Sequence, residues 1–249
     1  MTGQNLYDST EPDYYLTRQT DPSIAQQIWA ELGAAGTVIN VGAGTGSYEP
    51  TDRQVTAVDP SDWMRRHRPA HLPPAVAATA ESLPFPDHAF DAGMAVSTIH
   101  HWTDVEAGLA ELRRVSRGPI VIVTFDPQRF REYWLADYAP DFLDVGIRRC
   151  PSLGRLRRAL PGLAARQVDV PLSCADGFAE AFYGRPEAFL DPAVRSNQSG
   201  WQELTTATVD RAVDHLRHDL SSGVWDRRHG HLRRQPTRRG ALTLLTTRS

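Results

Sequence analysis

At 249 residues, 41% apolar and 23% charged, the chain is long enough for one large domain with a substantial core. A net charge of −3 gives no field toward nucleic acid or anionic membrane. No apolar run nears 18 residues and MTGQNLYDSTEPDYY lacks the regions of a secretory signal, so the expectation is a soluble, cytoplasmic protein without membrane contact. All 27 basic residues are arginine, which excludes Schiff-base lysine chemistry and a Gly-Lys-Ser/Thr phosphate loop, and Cys150 and Cys174 read as free thiols.

Residues 21–33 predict a helix, with Asp21 as cap, Pro22 in the first turn, and Ile24, Ile28 and Leu32 on one face. TVINVG and QVTAVDP follow as strands, a third is expected over Val76–Thr79, and FDAGMAV (90–96) and PIVIVTF (119–125) read as a fourth and fifth. Ile120–Val123 is continuously apolar, the pattern of a strand covered on both faces. Between the last two lies a helix with a Thr103/Glu106 capping box and Val105, Leu109 and Leu112 as its stripe. Alternating strands and helices imply an α/β fold, a doubly wound, mostly parallel sheet. Residues 176–222 read as mainly helical, with a start at Asp191-Pro192 and an apolar face of Val209, Val213, Leu216 and Leu220. ARQVDVPLS (165–173) and GALTLLTTR (240–248) are expected as an antiparallel edge pair, and the helical material after the fifth strand as a cap over the ligand edge.

VINVGAGTGSYEP (38–50) ends an apolar run at Gly42, Gly44 and Gly46. In an open α/β sheet, ligands bind beyond the carboxyl ends of the strands, and a glycine turn there brings backbone close to them. A dinucleotide cradle, Gly-x-Gly-x-x-Gly, would need its third glycine at 47, where the chain has Ser47. Asp59, 17 residues after Gly42 at the end of the next strand, can accept two hydrogen bonds from a ribose diol. Loop and acid together point to an adenosine-type ligand.

VINVGAGTGSYE, VTAVDPSDWM, ATAESLPFPDHAFD and STIHHWTDVEAGLAELRRVSRG resemble successive motifs of class I S-adenosylmethionine-dependent methyltransferases, in the small-molecule branch typical of actinobacteria. The likeness is specific over 37–127, looser through YWLADYAPDF and CADGF, and fades after about Asp226. It implies a Rossmann-like core (37–127), an N-terminal cofactor-covering segment (1–36), and a substrate cap carrying the last strands (128–249). It places Gly42, Ala43 and Gly44 against the methionine part of the cofactor, Asp59 on the ribose, Met64 on adenine, Ala80 and Glu81 beside the adenine edge, and Ser97 below the sulfonium. Tyr14 and Arg18 in DYYLTRQTDP match a family pattern that covers the cofactor, with Arg18 pairing the methionine carboxylate. Asn40 stands where the superfamily often has an acid, which removes a charge attractive to a cationic cofactor.

STIHHWTD falls where the fourth strand ends. Methyl transfer is an in-line displacement from positively charged sulfur, so the protein must align the nucleophile and exclude water. His100 is similar in position to a histidine that deprotonates the substrate hydroxyl in small-molecule O-methyltransferases. A phenol near pKa 10 and an imidazole near 6.5 differ by enough that full transfer costs roughly 5 kcal/mol, so His100 is either a base acting as the methyl arrives or an orienting group. His101, Trp102 and Trp134 are expected around the substrate pocket, although His101 also reads as a turn support and Trp102 as a core residue. The pairs His215/His218 and His229/His231 lack partners for a metal site. The arginines between 227 and 239 read as a solvated loop, with RNA as the alternative partner. The leading expectation is methyl transfer to a small molecule. A nucleic-acid methyltransferase and a non-methylating descendant that keeps the cofactor are the alternatives.

Overall fold

The structure, a computed structural model, describes residues 18–247. Helix α1 spans Pro22–Glu31, and Asp21 caps it by accepting the Ser23 and Ile24 N–H groups at 2.9 and 3.1 Å. Strands β1 (Thr37–Val41), β2 (Gln54–Val58), β3 (Ala92–Val96) and β4 (Ile120–Phe125) run parallel. Helix α2 is Asp62–Arg66 and α3 is Val105–Val115. After β4 come α4 (Pro140–Arg149), α5 (Leu153–Ala159), β5 (Leu163–Gln167) and the two-residue β6 (Val170–Pro171). Helices α6 (Pro192–Ser196), α7 (Thr206–Ser221) and α8 (Val224–His229) precede β7 (Thr237–Arg238) and β8 (Leu242–Thr247).

The six-stranded sheet has the order β2-β1-β3-β4-β8-β5. β8 is antiparallel to both β4 and β5, so the expected antiparallel edge pair is present, while β6 leaves the main sheet to pair with β7. Side chains alternate across the sheet. Val38, Met94, Val123 and Leu244 pack with α1 and the cap, whereas Ile39, Ile122 and Leu245 pack with Leu109 and Leu112 of α3 and Leu156 of α5. Each such aliphatic chain contributes about 1.5–3 kcal/mol through burial. The continuous apolar run in β4 therefore serves two cores at once.

Two local expectations are corrected. The strand expected over Val76–Thr79 is a single bridge from Val76 to Val58, since Pro73 and Pro74 supply no amide donors and the chain then turns toward the sheet edge. The cap of α3 is Asp104, whose carboxylate accepts the Ala107 N–H at 3.0 Å, and Glu106 instead pairs with Arg155. Residues 176–222 are mainly helical, as expected: short 3-10 turns surround α6, which starts from the Asp191 cap with Pro192 in its first turn, and only α7 is long. On α7, Val213 and Leu216 are buried and Val209 and Leu220 pack partly against the core. Both cysteines are free and buried. Among the described residues no helix is long and apolar enough to cross a membrane.

Candidate active site

The glycine loop closes over the end of β2. The N–H groups of Gly42 and Ala43 both donate to Val58 O, at 2.8 and 2.9 Å, and that of Gly44 donates to Asp59 Oδ2 at 2.7 Å. Gly42 has φ +72°, and a Cβ there would collide with Thr98, whose own Cβ lies 2.7 Å from that point. At Gly44 (φ +53°) a Cβ would meet only Met64 Sδ at 3.8 Å, so left-handed backbone alone requires glycine there. Asp59 is buried, its other oxygen accepts the Ser61 N–H at 2.9 Å, and burial raises its carboxyl above the usual range. The acid that sequence reading assigned to a ligand also organises the loop.

Beneath the loop lies an ion pair that sequence reading missed. Arg68 and Glu49, with side chains 3% and 1% exposed, pair at 2.8 Å, and Asn40 donates to Glu49 Oε1 at 3.0 Å. The carboxylate absent at position 40 is thus present one layer deeper, nine positions on, where Arg68 neutralises it. Asn40 Oδ1 is buried without a partner among the described residues.

Two clefts meet at this edge. The first brings together Arg18, Gly42, Ala43, Gly44, Asp59 and Met64. Ala80, Glu81, Ser97, His101 and Trp102 line it too, so every described residue expected around the cofactor stands there. Tyr14 lies outside the described residues. Glu81 also ties down the next loop by accepting the Thr103 and Asp104 N–H groups, at 2.8 and 3.1 Å. Trp102 lies across Gly108 of α3, which has no side chain to displace it, and joins the apolar cluster on that face. His101 and Trp102 line this first cleft, not the second cleft that holds His100.

The second cleft holds His100 among Phe125, Phe130, Phe142 and Phe178. Among the described residues, only Ser97 and Arg18 line both. Ser97 ends β3 in a left-handed conformation (φ +52°), a strained backbone for a residue with a side chain, and turns the chain into the short 3-10 turn Ile99–His101. Arg18 donates to Asp176 at 2.7 Å, and Tyr48 OH donates to the same carboxylate at 2.9 Å. Asp176, in the CADGF stretch, escaped sequence reading because a lone acid beside aromatics carries no spacing signal.

Burial, reinforced by the Arg149 and Arg18 charges, pushes the His100 imidazole down to about 4, and its Nδ1 has no partner among the described residues. Burial, together with His100 and Arg149, also holds His101 well below the usual imidazole range. Burial pushes the Cys150 thiol of the second cleft up to about 12, which removes it as a nucleophile at neutral pH. Trp134 lines neither cleft. It is 4% exposed, its indole N–H donates to Tyr183 O at 2.9 Å, and Phe189 and Trp225 meet its ring edge to face, so it is a core residue. Its apolar surroundings in the sequence did not distinguish a pocket wall from a core.

Residues 39–122 match the family model described as a methyltransferase domain. No curated protein matches the chain. Among solved structures, a candidate methyltransferase from an antibiotic biosynthesis pathway of Anabaena variabilis is 28% identical, with TM-score 0.87, covering 94% of this chain and 100% of that one. A candidate methyltransferase from Bacillus halodurans is 16% identical at TM-score 0.55, over 89% of this chain and 96% of that one. The [4+2]-cyclase SpnF shares the fold at 16% identity and TM-score 0.52, over 91% and 80%.

Proposed function

We propose that this chain is an S-adenosylmethionine-dependent methyltransferase and that its acceptor is a small molecule methylated on a hydroxyl group. The observation that carries the reading is the pair of adjoining clefts. One has the glycine loop and Asp59, the other is aromatic with a neutral imidazole, and Ser97 and Arg18 stand where they join. The similar protein of Anabaena variabilis, described as part of an antibiotic biosynthesis pathway, agrees with a small acceptor.

The residues present fit the cofactor. Asn40 Oδ1, buried and unmatched on the first cleft's wall, is an acceptor for the amino group of its methionine part, with the Glu49 carboxylate close behind. Asp59 keeps lone pairs beyond its two backbone contacts for ribose hydroxyls. Gly42 and Gly44 keep the backbone of the cleft wall free of side chains, with left-handed φ of +72° and +53°. When bound, S-adenosylmethionine supplies a methyl group on positively charged sulfur.

His100 is neutral at pH 7 and can accept a hydrogen bond from an acceptor hydroxyl. With its pKa near 4, complete proton removal from a phenol near 10 would cost about 8 kcal/mol. His100 therefore orients the hydroxyl and takes its proton only as the new carbon–oxygen bond forms. The aromatic wall excludes water from this step. Against a nucleic-acid partner, Arg233 pairs with Glu187 and Asp226, Arg239 pairs with Asp169, and Arg238 lies over the Tyr133 ring, while Arg227, Arg228 and Arg234 are exposed.

Methyl-labelled cofactor incubated with the protein and a panel of small phenols, naphthols and aliphatic alcohols should give label in an ether at oxygen. Label recovered only in added RNA, or cofactor binding with no transfer to any member of a broad small-molecule set, would reject the reading.

A further inference from the structure

Asn197 and Gln198 follow directly on α6 and form part of the second cleft's wall, 4% and 7% exposed. The amide nitrogen of Asn197 donates to Ala193 O at 2.8 Å, and that of Gln198 donates to Val194 O at 3.2 Å. These bonds fix which end of each amide faces back along the helix. The oxygens, Asn197 Oδ1 and Gln198 Oε1, are buried and have no hydrogen-bond partner among the described residues. An unmatched buried acceptor costs on the order of 1–3 kcal/mol, so two from consecutive residues on a cleft wall leave a demand for donors that a ligand can meet.

The neighbouring charges do not meet that demand. Arg149 donates to Ser199 Oγ at 2.9 Å and pairs with Glu203. Glu180 accepts the Ala241 and Leu242 N–H groups at 2.8–3.1 Å. An anionic ligand would meet two amide oxygens and be repelled. A cationic one would find the Arg149 and Arg18 charges close to His100 and the nearby carboxylate already engaged. What remains is a neutral donor, a hydroxyl. The rest of the wall calls for a flat ring: Phe125 lies 6.0 Å from both Phe130 and Phe178, and Phe142 stacks on Trp201 at 4.8 Å.

We propose that Asn197 and Gln198 select the acceptor, a neutral aromatic compound with two hydroxyls, one offered to His100 and the second sharing its single proton between these two amide oxygens. The inference rests on the methyltransferase reading of the same site. His100 belongs to the sheet-edge wall and the two amides to the cap wall, so the second hydroxyl acts in recognition and is not methylated. A site built to bind a hydroxyl rejects analogues that lack it, because its own polar groups are then left unmatched.

The full chain, saturated with S-adenosylhomocysteine, is titrated by calorimetry with 1,3-dihydroxynaphthalene and with 1-naphthol. The diol is expected to bind at least about tenfold more tightly, a difference of about 1.4 kcal/mol. Asn197→Leu and Gln198→Met should each cut that ratio below about threefold while leaving affinity for 1-naphthol and for S-adenosylhomocysteine unchanged. Equal binding of the two probes, no binding of either, or a ratio that survives both substitutions overturns the proposal. If S-adenosylhomocysteine itself fails to bind the wild-type chain, the methyltransferase reading fails first and takes this one with it. If it binds and the diol preference is missing, only this inference falls. Should Asn197→Leu lose S-adenosylhomocysteine binding through misfolding, the wild-type ratio and Gln198→Met decide.

Discussion

His100 has a titration signature set by its surroundings. Its folded pKa, near 4, lies below the unfolded value of about 6.5. Between those values the unfolded chain binds a proton that the folded chain does not. The stability this histidine contributes is therefore full above about pH 6.5 and is lost as pH falls toward 4. His100→Gln removes this dependence. Urea unfolding at pH 7.5 and pH 5 should show a larger loss for the wild type than for the variant; equal losses would mean that the imidazole is not held neutral. Trp102 marks the limit of legibility at this scale. Its place at the sheet edge could be read from STIHHWTD, but its lodging over Gly108 required knowing that α3 passes beneath it. His101, beside it, lines the first cleft instead of the second for the same reason: a 3-10 turn sends consecutive residues in different directions.

The glycine loop shows how elements share a task. Gly42 is required both by its left-handed backbone and by Thr98, which already fills the place of a Cβ, whereas Gly44 is required by the backbone alone. Gly42→Ala combines overpacking of about 1–3 kcal/mol with a left-handed cost of about 1–2 kcal/mol, whereas Gly44→Ala carries the second cost alone. Thermal unfolding should accordingly show the larger drop for Gly42→Ala, together with loss of S-adenosylhomocysteine binding. Equal drops for the two would contradict the close approach of Thr98. The loop's glycines and the acid after β2 were legible because their spacing is local. The Glu49–Arg68 pair beneath them was not, since nothing in the sequence relates position 49 to position 68 until α2 turns the chain back under the loop. The third expected strand failed on chemistry that is itself local: two prolines precede it, and an edge beside β2 tolerates a single bridge.

Over the whole molecule, charge is spent internally. Two arginines of what looks like a basic run along the chain, Arg233 and Arg239, are engaged by separate acids in the fold, at Asp169, Glu187 and Asp226. Retention on RNA at 50 mM salt is therefore expected to be negligible; tight binding that falls steeply with log salt would count against that distribution. The sheet order is the other global feature. β8 comes from the far end of the chain and inserts between β4 and β5, and Glu180 clamps the residues that lead into it. The alternating strands and helices, the apolar strand covered on both sides, the glycine loop and its partner acid were determined by sequence alone, because each depends on neighbours within about twenty residues. The joining of the two clefts at Ser97 and Arg18, the burial that keeps His100 neutral, and the unmatched oxygens of Asn197 and Gln198 were decided only by tertiary structure. Burial and hydrogen-bond satisfaction belong to groups that folding brings together from distant parts of the chain, so no local spacing can encode them.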